Sequence, residues 1–188
     1  MTSTTSITQS SGYQAGTWTI DAAHSDVSFT VRHLMISKVR GHFRSFSGQI
    51  VTTPDPIDSS VTATIDLTSL DTNNEERDTH IRSADFFDVV SYPTMSYRST
   101  GIRDDGDSWI VDGDLTLHGV TRPVPLAVEV NGFGRDPFSG ATKAGFSATA
   151  TINRRDFGID ITLPMDGGGV VVGDKIAITL EIEAVLDA

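Results

Sequence analysis

Five histidines, His24, His33, His42, His80 and His118, are the chain's candidates for metal ligation or acid–base work. Their spacing supports neither a His-x-His pair nor a His-Glu-x-x-His helix, so no metal site is expected. Asp21, His24 and Ser25 have the residue types of a hydrolytic triad, but they sit within one turn of chain. No Gly-x-Ser-x-Gly elbow accompanies them. There are no cysteines, which excludes disulfides, thiolate catalysis and Cys-based zinc or iron–sulfur centres. The stretch DGGGVVVG lacks the Lys-Ser/Thr ending and the following helix of a phosphate-binding loop.

The remaining polar candidates are defined by their neighbours. His33 and Arg154 each end a run of apolar residues that alternate with polar ones. His33 is then either a polar group at the mouth of an apolar interior or a buried histidine with an internal partner. Arg154 pairs either with the charged head of a ligand or with Asp156 or Asp160. His80 and Arg82 lie in a short helical stretch, either touching a ligand from a lid or anchoring that lid to a rim. His118, before Gly119, is expected to stabilise a turn.

Elements that alternate with a period of two must position these groups. In DVSFTVRH, Val27, Phe29, Val31 and His33 share one face, and Ser28, Thr30 and Arg32 the other. The same parity collects Val39 and Phe43; Val61, Ala63 and Ile65; Met95 and Tyr97; Val111, Leu115 and Leu117. It continues through Val124, Leu126, Val128 and Val130; Phe146, Ala148, Ala150 and Ile152; and Ile176, Ile178, Leu180 and Ile182. Eight long strands are counted, joined mostly by short turns such as PDPID, DDGDS, VTR and DPFSG. One helical segment, TNNEERDTHIRSADFFDVVSYP, interrupts them, with Asn73 or Asn74 as its cap and Phe86 and Phe87 docking it. Eight long antiparallel strands with one apolar face remove their edges by closing into a barrel. The expected fold is all-β: an eight-stranded antiparallel, lipocalin-like barrel with a short helical lid. Its interior is either filled by bulky side chains or open around the small residues Ala63, Ala148 and Ala150.

Length and charge narrow the partners. The 188 residues suffice for one domain with a core. Residues 1–15 read as a flexible polar arm and 16–188 as the domain. A net charge of −11 argues against nucleic acid and against docking on anionic lipid through charge. A mild basic cluster, Arg32, Lys38, Arg40 and Arg44, is the exception. No segment reaches the roughly 20 apolar residues of a membrane helix, so no stable membrane insertion is expected. The opening MTSTTSITQSSGYQAG has neither the basic nor the apolar region of a secretory signal, and a cytoplasmic location is expected.

Five stretches carry a resemblance. WTIDAAHSDVSFTVRHLMISKVRGHFRSFSGQI, ERDTHIRSADFFDVVSYPTMSYRST, GDLTLHGVTRPVPL with INRRDFGI, and VGDKIAITLEIEA resemble, in order, the YceI-like family of polyisoprenoid-binding proteins. The resemblance spans about residues 16–186. It implies a lipocalin-like barrel, a homodimer, and a long isoprenoid lipid as ligand, such as a polyprenyl pyrophosphate or an isoprenoid quinone. Many family members carry periplasmic leaders, which this sequence does not show. With the parity pattern, the expected ligand contacts are Phe29, Val31, His33, Phe43, Ile65, His80, Met95, Tyr97, Leu115, Leu117, Leu126, Val128, Phe146, Ala148, Ala150, Ile152, Arg154, Ile178 and Leu180. No catalytic residue, metal or cofactor beyond the bound lipid is expected. The alternatives are an enzyme acting on the isoprenoid or quinone, and a stress-response dimer with an incidental cavity.

Overall fold

The computed structural model describes residues 12–106, 108–163, 165–166 and 171–188. Most of the expected arm (1–11) and part of the glycine-rich loop (167–170) lie outside them. The chain runs β1 (Gly16–Ile20), β2 (Asp26–His33), β3 (Ser37–Phe43), β4 (Phe46–Thr52), β5 (Ser60–Asp66), β6 (Leu70–Asp71) and α1 (Glu75–Arg82). It continues with β7 (Thr94–Asp104), β8 (Trp109–Leu117), β9 (Val120–Pro123), β10 (Leu126–Arg135), β11 (Thr142–Asn153) and β12 (Val172–Leu186).

The pairings resolve these segments into a closed antiparallel barrel of eight wall positions. β1 and β2 form one wall position, broken by a 3₁₀ turn at Ala22–His24. β3 and β4 form the next, bent at Arg44–Ser45. β5, β7, β8, β10, β11 and β12 follow in order. β12 closes the ring along both halves of the first position, setting Leu180 opposite Val27 and Leu186 opposite Trp18. One expectation is corrected: VTR is not a turn. Thr121 and Arg122 belong to β9, which pairs back on β8 with Leu117 opposite Val120. The turn is His118–Gly119, both at positive φ. Gly119 supplies that geometry freely, and His118 is held in it by a bond to the Phe157 carbonyl, Nδ1 to O 3.0 Å.

The alternating residues pack inward as the pattern requires. Phe43, Leu67, Leu70, Leu115, Leu117 and Phe157 belong to the main core. A second cluster of Trp18, Ala144 and Ala184 sits where the first and last strands meet, with Phe133, Phe146 and Leu186 against it. Trp18 Nε1 donates to Thr52 Oγ1 at 2.8 Å, and Tyr13 donates to the Thr53 carbonyl at 2.7 Å while its ring meets Phe133 edge-on. These contacts furnish the end of the barrel at which the chain enters.

Two inward aromatic rings lie across glycines on neighbouring strands. A methyl group on Gly41 would stand 2.4 Å from the Phe29 ring, and one on Gly113 2.4 Å from the Tyr97 ring and 2.8 Å from the Arg98 carbonyl. No Cβ fits at either place. Gly113→Ala is therefore expected to destabilise the fold by about 1–3 kcal/mol through overpacking, read as a lower urea midpoint at unchanged slope.

α1 begins where the sequence predicts. Asn74 Oδ1 accepts from Arg77 N at 2.9 Å, and Glu75, Glu76 and Asp78 fill the positive first turn. Asp78 is buried and accepts from the Thr72 amide at 2.9 Å and from its hydroxyl. Of the two docking aromatics, Phe86 is buried, edge-on to His80, and Phe87 tilts against Phe43.

Candidate functional site: an apolar cavity along the barrel

The barrel is hollow. A cavity of about 430 Å³ runs lengthwise from Tyr13 and Phe133 at one end to His33 and Leu163 at the other. That is within the ~300–1,000 Å³ of small-molecule sites. The bulky inward side chains line the space without filling it.

Every residue expected to face the ligand lines this cavity except Ala150. β2 and β3 contribute Phe29, Val31, His33 and Phe43; β5 and β7 contribute Ile65, Met95 and Tyr97. β8 and β10 bring Leu115, Leu117, Leu126 and Val128, and β11 and β12 bring Phe146, Ala148, Ile152, Ile178 and Leu180. His80 reaches it from α1, and Arg154 from the turn after β11. Ala150 shares the inward parity but packs against core residues instead of the void. A methyl group reaches open space only where no larger neighbour overlies it, and parity carries no information on that. Ile81, Leu163, Val171, Tyr13 and Phe133 also line the wall. The strand pattern missed them because helix, loop and β-bulge positions break the alternation that identified the others.

The polar groups differ in how far they are committed. His33 lines the cavity half-buried, and its ring makes no hydrogen bond among the described residues. Arg154 is 4% exposed. It donates to the Ile159 carbonyl at 2.7 Å, to Gly173 at 3.1 Å and to Val172 at 3.5 Å. Its ionic partner is Asp174, at 3.1 Å, and neither Asp156 nor Asp160. The correction has a simple cause: β12 comes back alongside the turn after β11 and places a carboxylate from 20 residues downstream beside the guanidinium. Burial pulls the Arg154 pKa below its ordinary value, and Asp174 works against that. On the helical segment His80 Nε2 lies 2.9 Å from Asp85, and Arg82 donates to the Leu70 carbonyl at 2.7 Å. Both act as anchors of that segment.

Nothing resembling a triad forms at Asp21, His24 and Ser25. His24 Nδ1 lies 2.8 Å from Asp21, whose carboxyl this hydrogen bond holds below its usual pKa. Ser25 instead exchanges two hydrogen bonds with the Glu183 backbone. Asp21, His24 and Glu183 form the one cluster of potential metal ligands among the described residues. Lys143 already supplies a cation there, 2.7 Å from Glu183.

Tyr97 is buried and donates to the Val124 carbonyl at 2.8 Å and to Val111 at 3.2 Å, tying β7 to β8 and to the connection into β10. Burial first, then the carboxylates Asp112 and Asp114, raise its phenol pKa well above the ordinary 10.0. A raised acid keeps its stabilising contribution below the unfolded pKa and loses it above. Stability is therefore expected to be insensitive to Tyr97 at neutral pH and to decline from about pH 10 upward. Tyr97→Phe should flatten that alkaline decline, measured as unfolding free energy against pH.

A closed antiparallel barrel around a lengthwise apolar cavity is a lipocalin-like architecture. A family model for the YceI-like domain matches residues 18–184. The chain belongs to the YceI-like family. A UPF0312 protein of Vibrio cholerae is 44% identical over 141 residues, covering 74% of each chain. Among solved structures, the YceI protein of Campylobacter jejuni superposes with a TM-score of 0.71 at 32% identity, over 89% of this chain and 96% of that one. A Saccharophagus degradans domain described as polyisoprenoid-binding shares the fold with a TM-score of 0.66 at 15% identity, over 93% of this chain and all of its own.

Proposed function

We propose that the protein binds a long isoprenoid lipid, a polyprenyl pyrophosphate or an isoprenoid quinone, with the tail along the barrel axis, for storage, transport or sequestration. The observation that carries this reading is the lengthwise cavity, its walls predominantly apolar, with Arg32, His33, Arg77, His80 and Arg154 as the few basic groups that reach it. Each buried methylene-sized unit of a tail contributes about 0.8 kcal/mol, partly offset by lost chain freedom. The tail sets affinity. The His33 ring at the rim, without a hydrogen bond among the described residues, meets the head group. Binding without turnover is favoured because Arg154, the buried cation on the wall, spends its donors on three carbonyls and Asp174. Family membership and the fold shared with the Saccharophagus domain support the same ligand class. Residence in the cytoplasm and assembly as a homodimer belong to this reading. Organic extraction of purified protein followed by mass spectrometry is expected to recover an isoprenoid lipid. Recovery of none, with no uptake of an added isoprenoid quinone, would overturn the proposal.

A further inference from the structure

The β2–β3 hairpin stands at the rim of the cavity, and its tip is unlike the rest of the surface. Met35 is 49% exposed and Ile36 82% exposed. Leu34 and Met35 are consecutive non-glycine residues at positive φ, 53° and 60°. Hairpin turns of this kind ordinarily take Asn-Gly, which adopts that geometry without strain. Leu-Met in their place keeps large apolar side chains at the tip at a conformational cost. Leu163, also exposed, lines the same rim, and the loop that carries it is bonded to the hairpin through the Leu34 amide and the Val171 carbonyl, 2.8 Å.

Basic residues flank the tip. Arg32 lies directly opposite Lys38 and Thr30 opposite Arg40 on the outer face of the hairpin, and Lys175 follows on the outer face of β12. All four bases are exposed. Among the described residues none of them has a carboxylate within 4.0 Å or a side-chain hydrogen bond. Elsewhere on the barrel Arg44, Arg103 and Lys143 are each engaged by a carboxylate and Arg122 and Arg135 by backbone carbonyls, and among the described residues only Arg98 stands as a further exposed base with neither. In a chain of net charge −11 this is a concentrated exception. The total charge is a poor guide to contact here, because charges beyond about 8–10 Å are screened at physiological salt. A surface that meets the tip senses the four bases first.

We infer that the β2–β3 tip is a docking surface for an anionic phospholipid membrane: Met35 and Ile36 enter the interface while Arg32, Lys38, Arg40 and Lys175 face the lipid phosphates. Apolar side chains set among bases are the composition of a peripheral membrane contact. A bilayer offers Met35 and Ile36 an apolar interior directly beneath a layer of phosphates, a combination that attraction of the bases to an acidic copy of this chain does not supply. The contact sets the cavity rim against the bilayer, where an apolar cargo crosses with little exposure to water. It stands on the hairpin's surface and holds whatever the cavity carries.

The test is co-sedimentation of the full chain with vesicles of phosphatidylcholine alone or with added phosphatidylglycerol. Sedimentation is expected with the anionic vesicles, declining as salt rises. The combined Arg32→Gln, Lys38→Gln, Arg40→Gln variant should lower partitioning about a hundredfold. Replacing Leu34 by Asn and Met35 by Gly should raise the melting temperature by relieving the turn, yet lower partitioning about tenfold through lost apolar contact. A variant more stable than its parent and weaker on vesicles separates docking from folding. Equal partitioning onto neutral and anionic vesicles, or a triple variant that partitions like the parent, would overturn the inference. So would loss of a dimer by the same variants in size-exclusion chromatography, which would make a second copy the occupant. Lipid extraction reads the cavity alone, so an empty barrel and a failed docking surface give different results.

Discussion

Replacing Arg154 by methionine is expected to lower the unfolding free energy by about 3 kcal/mol, a large share of the stability of an ordinary domain. Methionine keeps much of the volume, so the loss comes from polar groups left without partners. The Ile159 and Gly173 carbonyls lose their 2.7 and 3.1 Å donors, and among the described residues Asp174 keeps only Arg155, at 3.0 Å. Breaking one side of a buried charged network costs more than replacing the whole network with apolar groups, and here the carbonyls stay. Urea denaturation at neutral pH measures it as a shift in midpoint at constant slope. A loss below about 1 kcal/mol would show that water enters and satisfies the carbonyls. Because the same bonds tie the turn after β11 to the start of β12 at the cavity rim, the variant should also release cargo faster.

Ala148→Phe and Ala150→Phe are expected to part company. Both lie on β11 with the same parity, opposite Leu180 and Ile178. Only Ala148 faces the cavity. A phenyl ring at 148 projects into space the ligand needs and should weaken uptake of an added isoprenoid quinone by tenfold or more, about 1.4 kcal/mol or greater. A ring at 150 enters packed core, costs about 1–3 kcal/mol of stability and leaves uptake close to the parent value. Trp109 lines the cavity, so quenching of intrinsic fluorescence by a quinone follows both variants. Equal uptake by the Ala148 variant and the parent would mean that the ligand does not pass through the middle of the barrel.

These two positions show what the sequence could and could not convey. Alternation from Val27 to His33, and from Phe146 to Ile152, fixes which side of a strand turns inward, and this sufficed for the barrel and most of its lining. It says nothing about depth, so Ala148 and Ala150 looked alike. Asn74 as a helix cap was legible because capping is local. Asp174 as the partner of Arg154 was not, because it depends on the register of a strand that returns from far along the chain. β9 was lost in VTR because a four-residue strand after a tight turn lacks enough alternation to register as one. The basic cluster at Arg32, Lys38, Arg40 and Arg44 was visible as spacing. Only the hairpin pairing shows Arg32 beside Lys38 at an apolar tip, and Arg44 held apart by Asp71 at 2.9 Å.

β12 lies against β11, β2 and β1 at once, so the ring is sealed only when this strand is in place. Until β12 is made and docked, the growing chain is an open ribbon with two free edges. A premature stop before Val172 would leave that ribbon permanently unsealed, its oily face and unpaired edges available to any neighbouring chain. Loss of β12 alone should therefore register as insolubility in the cell, far out of proportion to the number of contacts removed.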